Sequence, residues 1–302
     1  MHPILLEISS LGITILSYRA CLLLAVLVCF AIGPRWVASL EGFDPRQVFR
    51  AMLLLGLAAF AGARLHFVLT HWADFADRPL AALQFWSGGL HAGGGIILLA
   101  AATPLVLSWL GMPLGRFTDG LAPTVGVGIA IARLGCFLHG CCFGTLCSWP
   151  WCLTFPRDTY IYQYHIDLGL LPPGAERTLP IHPLQLYFAA AGLLITAIAL
   201  WVHRRKRYDG EVALVGLVLF SASTAVLEFL RADAKPRLYW GSLPELTWIA
   251  LAMSVASFVA LAAAELMHRR NRVRSLRSAG PVGRAPLLSH APVDTERLLV
   301  RK

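Results

Sequence analysis

The sequence predicts an all-α polytopic membrane protein of seven transmembrane helices, N-out and C-in, and three observations carry that expectation. Hydrophobic residues fill 57% of the 302 positions and charged residues only 14%, where soluble chains carry about a quarter. The apolar residues gather into runs of about 20, the length a helix needs to cross roughly 30 Å of hydrocarbon. The basic residues fall between alternate runs, as the positive-inside rule requires. A water-soluble globule, a disordered chain and a disulfide-stapled mini-protein are excluded by the same composition.

The predicted spans are about Ile13 to Ile32, Val48 to Thr70, His91 to Leu110, Thr118 to His139, Pro183 to His203, Glu211 to Arg231 and Pro244 to Met267. Their internal Gly and Pro residues (Gly56, Gly62, Gly94, Gly126, Pro104, Pro123) are compatible with spanning, since small residues let helices approach and neighbours satisfy freed backbone groups. No Lys or Arg precedes Arg19, so the first run lacks the basic flank of a cleavable signal peptide and is expected to persist. Arg35, Arg46 and Arg50 follow the first run, Arg116 the third, and Arg204, Arg205, Lys206 and Arg207 the fifth. These segments belong on one side, the cytoplasmic one. The segment from about 141 to 181 then lies outside, where Trp149, Trp151, Tyr160, Tyr162 and Tyr164 suit a small subdomain at the headgroup layer.

Residues 1–267 form the expected membrane domain, and residues 268–302 a basic cytoplasmic tail, disordered beyond about Arg269. After His268 there are nine Lys or Arg against Asp294 and Glu296, which accounts for +7 of the net +9. A basic run directly after a span faces anionic lipid, so no nucleic-acid partner is expected. The chain shows no internal repeat, which leaves an inverted-repeat transporter without support.

Charged groups inside spans are costly and therefore informative. Arg19, Arg64, Arg133, Glu228 and Arg231, with His66, His91 and His139, all fall at one predicted depth in the outer half of the bilayer. Arg19, Arg64 and Arg231 stand near helix ends and can simply snorkel to headgroups, Glu228 can be no more than a partner of a nearby Arg, and the histidines can be interfacial filler. Arg133 lies two helical turns inside and reads as functional. A guanidinium forms bidentate, charge-assisted bonds to phosphate and keeps its charge, so an outward arginine pocket in a bilayer predicts a phospholipid ligand. Lys206, Lys235 and Lys302 are the only lysines, which rules out a retinal Schiff base in any of the seven spans.

Five of seven cysteines are spaced C-x4-C-C-x4-C-x4-C from Cys136 to Cys152. This is not the C-x2-C pairing of structural zinc, so no metal is expected. Cys141, Cys142, Cys147 and Cys152 fall on the oxidising side and favour one or two disulfides. A catalytic thiolate beside Arg133 or His139 is the alternative. Cys21 and Cys29 read as buried apolar residues.

The segment "ARLGCFLHGCCFG", Ala132 to Gly144, resembles the signature of bacterial prolipoprotein diacylglyceryl transferases, G-R-x-G-N-F-x-N-G-E-x-x-G. "SYRA", "GARLHFVL", "WSGGLHAGGG", "TDGLAP", "HPLQLY" and "LEFLR" resemble further family motifs in the same order, over about residues 10 to 267. The resemblance implies a multi-pass enzyme of the bacterial inner membrane that needs no cofactor. It would move the diacylglyceryl group of phosphatidylglycerol onto the lipobox Cys thiol of a prolipoprotein, giving a thioether and glycerol phosphate. Residue by residue, the essential Arg maps to Arg133, the signature glycines to Gly135, Gly140 and Gly144, the Tyr to Tyr18, and the carboxylate–Arg pair to Glu228 and Arg231. Arg133, Arg64 and Arg231 would hold the phosphate, His91 or His139 would deprotonate the thiol, and Glu228 would orient an Arg.

The chain departs from the pattern at Cys136 and His139, where the family has Asn, at Cys141 and Phe188, where it has Glu, at Gly93 for His and at Thr224 for Arg. Two alternatives follow. One is a paralogue of the same fold using Cys136 or Cys141 for other lipid or thiol chemistry, and the other a non-enzymatic phospholipid-binding protein.

Overall fold

The computed structural model describes residues 4–8, 13–85, 88–157, 159–172, 174–233, 239–240 and 243–278. Two antiparallel strands, β1 (Ile4–Ile8) and β2 (Ile13–Leu16), precede α1 (Ser17–Ala31), α2 (Gly33–Glu41) and α3 (Pro45–Thr70). The short α4 (Trp72–Phe75) leads to α5 (Ala92–Trp109) and α6 (Leu114–His139), and α7 (Tyr160–Asp167) lies in the insertion before α8 (Leu184–His203) and α9 (Glu211–Glu228). A two-residue ribbon, β3 (Tyr239–Trp240) with β4 (Leu243–Pro244), precedes α10 (Glu245–Ser278). Seven helices are long and apolar enough to cross a membrane, α1 and α2 counting together as one span from Ala20 to Glu41. The expectation of seven spanning helices therefore holds, with the short ribbons as additions to it.

The span boundaries differ from the expected ones for local reasons. The predicted first span begins at Ile13, but Ile13, Thr14 and Ile15 are β-branched and pair as β2. That span instead extends to Glu41 with a break at Ile32. Pro34 imposes the break, since it has no N–H with which to continue α1. At the other end of the chain, the tail expected to be disordered from about Arg269 is helical as far as Ser278. Arg, Leu and Met favour helix, and neither Gly nor Pro occurs before Gly280. Residues 279–302, the rest of that expected tail, lie outside the described residues. The chain divides into one unit of residues 1–261 and a second of 262–302.

Within the first unit α6 is the central element, packed on α8, α1, α9 and α2, while α3 packs on α5. Small residues permit these approaches. A Cβ on Gly62 would collide with the Gly94 carbonyl, and one on Gly126 with the Gly192 carbonyl and Thr196.

One end of the bundle is closed by buried ions. Glu41, at the end of α2, accepts from Lys206 Nζ at 2.6 Å, lies 2.8 Å from His203 Nε2 and pairs with Arg116. Fully buried Asp119 accepts the Gly210 and Ala213 N–H groups at 2.9 Å and Lys206 Nζ at 3.2 Å. Burial alone would lower the Lys206 ammonium, but the hydrogen bond and charge of Glu41 and the charge of Asp119 raise it above its ordinary value. Spans joined by short loops alternate in direction. The ends of α3, α6 and α9 and the starts of α5 and α8 therefore share the opposite end.

Candidate functional site

At that opposite end the chain turns sharply out of α6. Gly140 ends the helix at φ 77°, and a Cβ there would stand 2.9 Å from Thr159 Cβ. Cys142 follows at φ 56°, the single non-glycine residue with positive φ among the described residues. Its N–H donates to Asp233 Oδ2 at 2.8 Å, which holds the unfavourable backbone in place. Gly144 N–H then donates to the His182 carbonyl at 3.1 Å, Thr145 N–H to Leu230 at 2.8 Å, and Ala232 N–H to Phe143 at 3.1 Å. The segment is threaded between the start of α8 and the residues after α9. A Cβ on Gly144 would lie 2.7 Å from His182 Cβ, so only glycine passes.

The insertion beyond it has its own small core of Phe143, Phe155, Ile161 and Ile181. A Cys147–Cys152 disulfide ties it, which is one of the expected bridges. Cys136, Cys141 and Cys142 remain free thiols, and Cys21 and Cys29 are half-buried rather than buried.

Three elements bring chemistry together here. From α6 come Arg133 and buried Cys136, one helical turn apart on one face. From the turn come Cys141 and Cys142, whose sulfurs and that of Cys136 all lie within 4.8 Å of one another. From the end of α9 come Glu228 and Arg231. Glu228 is buried and its Oε1 accepts from Arg231 at 3.0 Å, while Arg231 Nε donates to Asp233 Oδ1 at 2.7 Å and its Nη2 stands 3.7 Å from Cys142 Sγ. Burial would lower the Arg231 guanidinium, but the Asp233 and Glu228 carboxylates raise it. The Cys142 thiol is held below its ordinary value. Hydrogen bonds from Cys136 and Cys141 do most of this, against the cost of burial, and the Arg231 and Arg133 charges add to it.

The two arginines differ in one decisive respect. Arg231 is neutralised by two carboxylates. Arg133 has no carboxylate or carbonyl partner among the described residues, and its guanidinium lies 4.1 Å from the ring centroid of Phe188 on α8. Its donors are free while its charge is half-buried.

Arg64, also expected at the phosphate, has a different environment. Its Nε and both Nη atoms donate to the carbonyls of Ala81, Ala82, Gln84, Gly88 and Gly89. All five donors are taken, so it clamps the loop before α5. His91 stands in front of α5 with its ring 4.5 Å from that of His66. His139 is the last residue of α6, one turn beyond Cys136. Gly135 is buried within α6. Tyr18 falls in the first turn of α1, and its side chain, like that of Arg19 and like Trp86 of the "WSGG" motif, lies outside the described residues.

Two contributors escaped the sequence reading. Asp233 bonds both Arg231 and the Cys142 N–H, yet nothing in its local sequence marks it. Gln185 is fully buried and donates to the Cys141 carbonyl at 2.7 Å, and its Oε1 has no partner. Its place inside "HPLQLY" was the available signal.

The fold and this site define a polytopic membrane protein with a half-buried, uncompensated arginine beside a carboxylate-held arginine and three thiols at one end of the bundle. Residues 3–263 match the family described as prolipoprotein diacylglyceryl transferase, and the chain belongs to that family. Among relatives named phosphatidylglycerol–prolipoprotein diacylglyceryl transferase, that of Synechococcus elongatus is 30% identical over 247 residues, covering 80% of each chain. Those of Leifsonia xyli and Parasynechococcus marenigrum are 28% and 29% identical, covering 79% and 80% of this chain and 72% and 83% of their own.

Proposed function

We propose that the chain transfers the diacylglyceryl group of phosphatidylglycerol to the lipobox cysteine of prolipoproteins, the reaction for which its relatives are named. The observation that carries this reading is Arg133, a cation inside a membrane span whose donors have no hydrogen-bond partner among the described residues. Holding such a charge in low dielectric without a partner is costly unless a ligand supplies the anion. A phosphodiester does so, and its charge grows as the glyceryl C–O bond breaks and glycerol phosphate leaves, so Arg133 stabilises the transition state more than the ground state. Arg231, fixed by Glu228 and Asp233, supplies a second donor edge with little freedom to move.

The acceptor thiol attacks as thiolate, and its proton passes to His139, which ends the helix that carries Arg133 and Cys136. Arg64 and the glycines shape the site: Arg64 secures the loop before α5, and Gly140 and Gly144 let the turn pass. The basic loops at the Glu41 end favour that end as cytoplasmic, which puts the site and the insertion on the outer face of a bacterial inner membrane, where translocated prolipoproteins arrive.

The test uses the full chain in detergent with phosphatidylglycerol and a synthetic lipobox peptide, read by mass spectrometry. A diacylglyceryl adduct on the peptide Cys that disappears in Arg133→Gln is the expected result. Folded protein that binds phosphatidylglycerol through Arg133 without forming the adduct would instead establish a lipid-binding protein.

A further inference from the structure

The family places Asn, Asn and Glu where this chain has Cys136, His139 and Cys141, and the structure gathers two of these replacements with Cys142 into a group of three thiols. We propose that Cys136, Cys141 and Cys142 bind one zinc ion as thiolates and leave its fourth position for the acceptor thiol of the lipobox peptide. The proposal rests on the transferase reading for the identity of that fourth ligand.

Geometry supplies the first argument. Zinc–thiolate bonds of about 2.3 Å place the sulfurs of a three-thiolate site roughly 3.8–4.0 Å apart. The three sulfurs here already lie within 4.8 Å of one another, so closure needs less than about 1 Å of side-chain movement. The spacing C-x4-C-C hides this arrangement. Cys136 is on the last turn of α6, and the chain reverses at Gly140 to bring the next two thiols back over it.

Backbone strain supplies the second. Cys142 adopts φ 56°, costly for a residue with a Cβ, and is pinned there by Asp233. The effect of this conformation is to point its sulfur at Cys136, Cys141 and the Arg231 guanidinium. Charge supplies the third. Three thiolates with Zn2+ carry a net −1, and the Arg231 guanidinium stands 3.7 Å from the Cys142 sulfur. Cys147 and Cys152 also approach His182, but their disulfide leaves them no thiolate to offer.

The chemistry fits what the site lacks. A three-ligand zinc with an open position can take a further ligand, and a coordinated thiol is deprotonated outright. The acceptor S–H would give its proton to His139 and bind zinc as thiolate. Its sulfur lone pair then forms the bond to the glyceryl carbon while the C–O electrons leave with the phosphate of glycerol phosphate. The thioether product is a weak ligand and departs.

The experiment uses the full chain purified in detergent without chelators. Elemental analysis should find about one zinc per chain, falling to background in Cys142→Ser and in Cys141→Ser, while a Cys147→Ser, Cys152→Ser double variant keeps its zinc. Because the Ser variants can lose fold as well as metal, the intact chain is also loaded with cobalt. A thiolate-to-cobalt charge-transfer band should appear, and its visible bands should shift with a lipobox peptide but not with the same peptide carrying Ser for Cys. Removing the metal should slow adduct formation about 30-fold at pH 7, the factor between a free thiol of pKa about 8.5 and full ionisation.

Full adduct formation by metal-free chain would overturn the zinc site and leave the transferase reading standing. Zinc and a peptide-sensitive cobalt spectrum without any adduct would do the reverse. A disulfide among Cys136, Cys141 and Cys142 in unreduced protein would also overturn the site.

Discussion

Replacing each of the two site arginines by Gln separates binding from scaffold. Arg133 makes no hydrogen bond among the described residues, and its guanidinium lies 4.1 Å from the Phe188 ring centroid. Arg133→Gln therefore removes a cation–π contact of about 0.5–2 kcal/mol and at the same time relieves the burial of an unpaired charge. Its unfolding midpoint should stay close to that of the parent. Activity should not. A bidentate guanidinium gives the phosphate two charge-assisted bonds, each worth about 1.5–3 kcal/mol, and their loss predicts a fall of about 10^2 to 10^4 in kcat/KM. Arg231→Gln reverses the pattern, because it strands Glu228 and Asp233, both nearly buried, with no cation between them. Breaking a buried pair in this way costs about 3–5 kcal/mol. The assay is adduct formation by mass spectrometry with thermal unfolding in the same detergent. Arg133→Gln with activity within threefold of the parent, or with a stability loss matching that of Arg231→Gln, would refute the assignment of phosphate binding to Arg133.

Three further predictions concern the scaffold. Lys206→Met should lower stability by about 1–3 kcal/mol by removing the cation that Glu41 and Asp119 share, which leaves Asp119 with backbone donors alone; because the folded-state Lys206 value is raised, the parent keeps this contribution below pH about 10.5 and loses it as pH climbs through the higher folded value, a slope that thermal scans should find flattened in the variant. His165, buried in α7 against Phe143, has its folded value lowered by desolvation, so its contribution is present above pH about 6.5 and lost as pH falls toward the folded value; thermal scans from pH 8 to 5 should show that slope in the parent and not in His165→Gln. Gly62→Leu should separate α3 from α5 and cost at least about 1–3 kcal/mol, seen as a lower unfolding midpoint, because its Cβ meets the Gly94 backbone.

Much of this was legible in sequence, and the physical reason is that the membrane makes its demands locally. Twenty apolar residues have one stable form in hydrocarbon, so all seven spans could be read along the chain. Arg133 was legible for the same reason, as an expense in the wrong medium. What could not be read were partners supplied by distant chain. Arg64 and Arg133 are both span arginines, and only the fold reveals that one meets five carbonyls from residues 81–89 while the other meets none among the described residues. The cysteine run was legible, but not the convergence of Cys136, Cys141 and Cys142, because ligand spacing presumes an extended or helical path and Gly140 and Cys142 supply neither. Lys206 and Arg116 were read as loop charges for orientation, although both also pair with Glu41 across long sequence separations.

The two ends of the bundle differ in how their charges are satisfied, and that difference bears on which end does chemistry. At the Glu41 end each buried carboxylate among the described residues has a cation: Glu41 has Lys206 and Arg116, Asp119 shares Lys206 and adds the Gly210 and Ala213 amides, and Glu211 has the Arg207 guanidinium and N–H. Such a network is complete, so an added anion would have to displace an existing partner before it could bind. At the other end Glu228, Asp233 and Arg231 complete one another, yet Arg133 is left over, with Gln185 Oε1 also unpartnered. A fold that closes its polar groups with this economy at one end has not failed to do so at the other for want of carboxylates, since Glu228 and Asp233 are already in place around Arg231. Among the described residues Arg133 has no carboxylate. A phospholipid phosphate brings an anion that reaches it from the bilayer or its edge and matches its bidentate donors.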